Sequence, residues 1–384
     1  MATAARLDAA VGDRRRNRPD VLLVLGTLAL SVFGLVMIYS ATRFGLERAG
    51  SLATIGAERQ MVFVTAGIIA MFAFSLIDYR EYRNYLPLIY SGMILLLVAV
   101  FLFPEVNGAR RWIPLGVFNF QPAEFAKIVT ILTAAHILSR TQEDESLSWR
   151  RLAQVILVMA IPAGLILVEP DLGTTMTIPF VMFVMLFAGG ATMKQMSSLF
   201  ITAVLGVAAM FRFGLLREHQ LDRLRVFIDP AVDPQGIGYQ LRQSKLAIGS
   251  GQLVGRGLFQ GTQTNFAYIP EQETDFIFTA VGEQLGFVGG IVVLAIFFLV
   301  VWRLLVISSA ARDRFGSLVA IGVAGMLMFH VFVNIGMTIG IAPVTGLPLP
   351  FLSQGGSFYI AMAMSIGISN SVWLRRSPVP ERRR

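Results

Sequence analysis

The 384-residue sequence has no cysteine, which excludes disulfide staples, thiolate nucleophiles and cysteine-held metals and removes any redox-compartment signal. Histidine is almost as scarce. His136, His219 and His330 stand far apart with no HExxH or paired spacing, so the chain offers no basis for a histidine-built metal site. Charge is also thin: at 15% of residues it falls below the roughly 25% of a soluble domain. Hydrophobic residues reach 55% and mean hydropathy is +0.67, so the chain reads as an integral membrane protein. The formal net charge is +8, but the cations sit at the chain ends and between apolar runs. They read as topology signals and contacts to anionic lipid, and no nucleic-acid partner is implied.

What the sequence does contain is a series of apolar runs of spanning length, about 20 residues each. Ten are predicted, at 20–41, 59–77, 86–104, 122–139, 151–169, 173–190, 194–214, 276–304, 315–341 and 353–374. The expected fold is an all-α polytopic membrane protein with ten transmembrane helices and one long extracytoplasmic loop at about 215–275. Residues 1–19 and 375–384 are expected as basic cytoplasmic tails around a 20–374 transmembrane domain, the first apolar run being too long for a signal-peptide core. With the N-terminus inside, the cytoplasmic segments hold Arg14, Arg15, Arg16, Arg18, Arg80, Arg83, Arg140, Arg150, Arg151, Lys194, Arg303, Arg312, Arg314, Arg375 and Arg376. The opposite short loops carry only Arg43, Arg48, Arg59, Arg110 and Arg111. The positive-inside rule then puts both termini in the cytoplasm and gathers segments 107–122, 170–172, 215–275 and 342–352 on the outer face.

Those outer segments hold the residues able to do chemistry. In GTQTNFAYIPEQETDFIFTAVGEQLGFVGG, residues 261–290, a polar loop runs through Glu271, Glu273 and Asp275 into a spanning helix. Asp275 is thus placed either to cap that helix or to act as a base at the membrane edge. NGARRWIPLGVFNFQPAEFAKI sets Arg110 and Arg111 beside Trp112, suited to an interfacial anchor or to gripping a diphosphate. Its Glu124 and Lys127 stand at i, i+3 inside a spanning helix. Ionisable groups there cost about 2.5–3.5 kcal/mol each on insertion scales, so the pair is read as functional or as a structural salt bridge. Asp171 in VEPDLGT either caps the next helix or adds a second outer carboxylate, a candidate cation or hydroxyl ligand. In GIAPVTGLPLPFLSQGGSFY, Thr345, Ser353, Gln354 and Ser357 either hydrogen-bond a sugar or peptide or satisfy a proline-broken backbone.

Taken in order, NGARRWI…QPAEFAK, EPDLGTT, QSKLAIGSG…GTQT…IPEQETDFIF…GEQLGFVG and NIGMTIG…PVTGLPLPFLSQGGS resemble the motifs of the SEDS (shape, elongation, division and sporulation) proteins, from the first helix to the tenth. GTQT and NIGMTIG with TGLPLP look more like the RodA branch than the division paralogue FtsW. The resemblance implies a peptidoglycan glycosyltransferase, a hexosyltransferase using an undecaprenyl-diphosphate-linked donor. It would polymerise lipid II into β-1,4-linked strands during cell elongation, on the outer face of the bacterial cytoplasmic membrane. Its partners would be a class B penicillin-binding protein and other elongation-complex membrane proteins. By position, the resemblance makes Asp275 the catalytic base and puts Arg110, Arg111, Glu124, Lys127, Asp171 and Lys245 on the family's charged motif positions, with Glu271 and Ser353 added as substrate-binding candidates. The chain departs from the usual pattern at Ala123, Glu169, Gln252, Glu273, Gln284 and Gln354.

The residues fit that chemistry on their own terms. Diphosphate leaves as a stable anion, so one base and a source of positive charge suffice, without the second carboxylic acid of a glycosidase. No cofactor is required with certainty; a divalent cation, Mg or Mn, is left open, and no ligand set for a metal is visible. A lipid flippase or transporter and a non-catalytic scaffold for a penicillin-binding partner are the competing readings.

Overall fold

The computed structural model describes residues 18–48, 50–105, 109–116, 118–141, 146–214 and 218–376. Most of the two expected tails and the Asn107–Gly108 turn lie outside the described residues.

All ten predicted runs are helical. Seven come first: α1 (Val21–Arg48), α2 (Ile55–Leu76), α3 (Tyr82–Ala99), α4 (Pro122–Leu138), α5 (Trp149–Val168), α6 (Leu172–Ala188) and α7 (Met193–Arg212). The long loop folds into α8 (Glu218–Ile228), α9 (Ile237–Ser250) and a single turn, α10 (Thr262–Asn265); then α11 (Ile277–Ala310), α12 (Arg314–Ile339) and α13 (Gly356–Leu374) complete the bundle. Among the described residues the only sheet is β1 (Ile113–Pro114) paired antiparallel with β2 (Asn119–Phe120). Among the described residues, eight helices are long and apolar enough to cross a membrane. The other two predicted runs, α4 and α6, have 17 residues each, roughly 25 Å at 1.5 Å per residue against a hydrocarbon core of about 30 Å. Large apolar side chains such as Val62, Ile69, Leu88 and Phe298 are exposed on the outside of the bundle, the surface a lipid solvent accepts and water does not.

Local chemistry sets the helix ends. Pro122 opens α4 at its first position, and Asp171 caps α6 by accepting from the Thr174 amide at 3.0 Å. Asp313 caps α12 through the Gly316 amide at 2.8 Å, and Gly340 ends that helix in the left-handed region at φ 81°. Close packing follows small residues: a Cβ on Gly367 of α13 would run into the Met71 carbonyl of α2, and one on Gly67 would strike the Tyr359 ring.

One end of the bundle is tied by arginines. Asp20 and Arg303 form a bidentate ion pair, Arg80 reaches Asp313 at 3.1 Å, and Arg375 reaches Asp78 at 3.2 Å. At the other end α9 packs on α11 and α12, α10 packs on α1, α9 and α11, and α8 packs on α9, with a small second core of Ala247, Ile269, Phe276, Met337 and Val344. α11 is broken at Gly286, where φ is 65° and ψ −161°. The 252–257 segment completes the interrupted ladder. Gln252 and Leu253 accept from the amides of Phe287 and Val288, and the amides of Arg256 and Gly257 donate to Glu283 and Gln284, all at 2.9–3.0 Å. Backbone unpaired within a membrane protein is costly, so the glycine-rich loop is a structural plug for this break.

Candidate active site

A cavity of about 440 Å³ opens at the end opposite the arginine ties. Its walls come from every outer segment expected from the sequence. Arg111 and Trp112 precede β1, Gln121 and Glu124 open α4, Asp171 and Thr174 start α6, and Glu271, Thr274 and Asp275 lead into α11. Gly346 and Pro348 belong to the loop after α12, and Gln354 to Phe358 enter α13.

Asp275 lies in a tight turn anchored on Glu271, whose φ of 54° is left-handed and whose carbonyl accepts from the Asp275 amide at 3.0 Å. Phe276, the next residue, is buried in the second core. Across from the carboxylate, Gly346 has φ 76°, and a Cβ there would stand 3.1 Å from Asp275 Oδ2 and 3.8 Å from an Arg223 nitrogen. Arg223 comes from α8 and donates to the Val344 carbonyl at 3.1 Å. Burial pushes the Asp275 carboxyl up to about 7; Glu271 adds to this, while Arg223 and then Arg111 pull it down. The negative neighbour that acts on it from its own turn is Glu271, four residues earlier.

Arg111 stacks on Trp112, 4.5 Å from the ring centre, and lies 3.9 Å from Asp171. Asp171 both caps and lines: it takes hydrogen bonds from the Thr174 amide and hydroxyl at 3.0 Å and from Gln121 Nε2 at 3.1 Å. Beneath it Glu169 is fully buried, and neither carboxyl oxygen has a partner. Burial, with Asp171 next, pushes Glu169 up to about 8, so at neutral pH it is predominantly protonated.

Glu124 faces the cavity, while Lys127 lies behind it at 2.7 Å with 2% of its side chain exposed. Lys127 also approaches His330 Nε2 at 3.2 Å and sits 5.3 Å from the centre of the Phe358 ring. The pair is therefore a buried ion pair of which only the acid meets the cavity. Of the remaining sequence candidates, three do not line it. Arg110 is half-exposed and pairs with Glu105 at 3.2 Å. Lys245 lies over Gly340 on the outside of α9. Ser353 is buried, accepting from the Leu349 amide at 2.8 Å, which locks its own turn. Arg223 is the cavity-end cation that sequence reasoning missed; the signal in the sequence is the amphipathic LDRLRVF stretch, which carries Arg223 and Arg225 alike. Among the described residues no three acidic or histidine side chains converge to hold a metal ion, and the lining carries Glu124, Asp171, Glu271 and Asp275 against Arg111 alone.

The fold and this cavity define a multi-pass membrane protein with a carboxylate-bearing site at one end. The family model FTSW_RODA_SPOVE, described as "Cell cycle protein", matches residues 21–377. The peptidoglycan glycosyltransferase MrdB of Escherichia coli (strain K12) is 38% identical over 368 residues, covering 95% of each chain. Stage V sporulation protein E of Bacillus subtilis (strain 168) is 38% identical over 359 residues, covering 92% of this chain and 96% of its own. A solved chain from a peptidoglycan synthase complex that coordinates polymerization and crosslinking superposes with a TM-score of 0.77 at 30% identity, covering 94% of this chain and 98% of that one. The rod shape determining protein RodA of Thermus thermophilus gives 0.68 at 28% identity, with 94% and 98% coverage. The chain belongs to the FtsW/RodA/SpoVE family, the SEDS peptidoglycan glycosyltransferases.

The buried pair yields a stability prediction. Lys127→Ala leaves the Glu124 carboxylate buried without its counter-charge, which is expected to cost about 3–5 kcal/mol. The readout is a lowered unfolding midpoint in detergent, and an unchanged midpoint would show that the pair contributes nothing to folding.

Proposed function

We propose that this protein polymerises lipid II, the undecaprenyl-diphosphate-linked disaccharide-pentapeptide, on the outer face of the bacterial cytoplasmic membrane. Asp275 is the general base. The observation that carries this reading is the Asp275 carboxylate itself: it lines a cavity shared with Arg111, with Arg223 beside it, and burial brings its proton affinity to about 7. A base so tuned accepts a proton at neutral pH far better than a carboxylate at its reference value of about 3.9. It takes the proton of the GlcNAc 4-hydroxyl as that oxygen bonds to the anomeric carbon of the donor. The carbon–oxygen bond to diphosphate breaks, and its electron pair leaves on the phosphate oxygen. Displacement inverts an α-linked donor and gives a β-1,4 bond. Arg111 and Arg223 offset the charge developing on the leaving group. Glu124 and Asp171 are acceptors for substrate hydroxyl or amide donors. A divalent cation, Mg or Mn, arriving on the diphosphate would balance the acidic lining; it belongs to the substrate complex, since no residue cage for it is formed among the described residues.

Two further assignments accompany the reading. The arginine-tied end holds Arg80, Arg83, Arg140, Arg150, Arg151, Arg303, Arg314 and Arg375, and the positive-inside rule makes it cytoplasmic. Among the relatives, E. coli MrdB at 38% and the probable FtsW of Trichlorobacter lovleyi at 37% do not separate elongation from division. GTQT and NIGMTIG…TGLPLP favour the RodA-like elongation branch. The likeness to a chain from a synthase complex supports a class B penicillin-binding protein as partner, alongside other elongation-complex membrane proteins.

Purified Asp275→Asn in liposomes is expected to make no polymer from lipid II. The wild-type rate should rise with pH through about 7, because the ionised carboxylate is the active form, and Arg223→Gln should move that midpoint upward by removing a charge that favours ionisation. Polymer made by Asp275→Asn at the normal rate would end the base assignment. Orientation can be read from single cysteines in this cysteine-free chain. In intact spheroplasts a membrane-impermeant maleimide should label Ala231→Cys, in the exposed turn after α8, and should label Arg150→Cys only after permeabilisation; the reverse pattern would invert the topology. Depletion in the native bacterium should round the cells, whereas filaments would transfer the protein to division.

A further inference from the structure

Among the fully buried polar side chains of α12 are His330 and Asn334, one turn apart. Neither lines the cavity. Asn334 Nδ2 donates to two carbonyls, that of Asp275 at 2.8 Å and that of Leu347 at 2.7 Å. His330 stands 3.2 Å from the Pro348 carbonyl through Nδ1 and 3.2 Å from Lys127 Nζ through Nε2. An ammonium only donates, so Nε2 accepts and Nδ1 carries the proton given to Pro348. The i, i+4 spacing sets both side chains on one face of the helix. That face therefore grips adjacent carbonyls of the proline loop, one joined to the main chain of Asp275 and the next to the Glu124–Lys127 pair.

We propose that Asn334 is a positioning residue for the reaction: its amide pins the peptide bearing the Asp275 carboxylate to the Leu347–Pro348 carbonyls, and His330 is the second point of the same clamp. The proposal rests on the reading of Asp275 as the base. Asp275 needs such a hold because it sits outside any helix ladder. Its amide is fixed only within its own turn, and its carbonyl meets Asn334 instead of the amide of Thr279, which goes to Phe276. The clamp also has a fixed polarity. Asn334 Oδ1 is buried with no partner, so the side chain is retained through its donors alone. The groups that bear on the Asp275 charge from the surrounding elements are Glu271 on its own turn, Arg223 on α8, Arg111 before β1 and Asp171 at the start of α6. A loosened turn would admit water to the carboxylate without removing any of these.

The test is steady-state polymerisation of lipid II across pH by full-length protein in liposomes. It compares wild type, Asp275→Asn, Asn334→Ala and Ser365→Ala, the last removing a buried hydroxyl that donates to the Ala361 carbonyl at 2.9 Å away from the cavity. Asn334→Ala is expected to lower turnover by up to about 100-fold, the effect of displacing a reacting group by about 1 Å. KM for lipid II should hold, and the acidic midpoint should fall from near 7 toward the ordinary carboxylate range. Ser365→Ala should change neither. If Asn334→Ala does not fold, Asn334→Ser, whose single hydroxyl cannot span two carbonyls, takes its place. Wild-type turnover, or lowered turnover with the midpoint still near 7, overturns the clamp. An active Asp275→Asn instead overturns the base reading, whereas an inactive one beside a fully active Asn334→Ala removes the clamp alone.

Discussion

The structure turns on how a carboxylate is kept half withdrawn from water without being neutralised outright. Desolvation alone raises the proton affinity of a buried acid by several pH units and would leave it protonated and useless as a base. Arg223 and Arg111 restrain that rise, and the outcome near 7 is a compromise between a burial term and two guanidinium groups. Glu169 shows the same medium at work: burial and the neighbouring Asp171 push it up to about 8 with Arg111 opposing them, and neither oxygen is partnered. Burial thus raises both acids, and the guanidinium groups beside them set how far.

Much of this was legible in the sequence. Apolar runs of spanning length fixed the number and order of the ten long helices, and the cation asymmetry between loops correctly gathered Arg111, Glu124, Asp171 and Asp275 at one end. Hydropathy reads poorly where a helix stops, so α1 continues to Arg48 and α11 to Ala310, beyond the ends of the predicted runs. Hydropathy is also blind to the break at Gly286, which depends on a loop 30 residues earlier in the chain donating to and accepting from the exposed backbone.

The site was read less completely, and for geometric reasons. Glu124 and Lys127 were read as functional or as a structural salt bridge; on a helix buried along most of its length they pair inside the protein, and only Glu124 reaches the cavity. Arg110 and Arg111 are adjacent in an extended segment, so their side chains diverge; one meets Glu105 and the other the cavity. Arg223 could not be singled out among the arginines of its amphipathic stretch, because its significance arises only when α8 folds back over the proline loop. Gln284, a departure from the family's usual pattern, keeps a structural task, bridging Ser40 and the Phe259 amide.

Gly346 has a consequence for what can approach the base. Its left-handed backbone and its missing side chain leave a gap of one methyl group directly beside Asp275 Oδ2. A Cβ at this position would stand 3.1 Å from the Asp275 carboxylate and 3.8 Å from the Arg223 guanidinium. The room beside the carboxylate is therefore kept open by main-chain geometry, and any side chain at position 346 would crowd both the acid and its guanidinium neighbour.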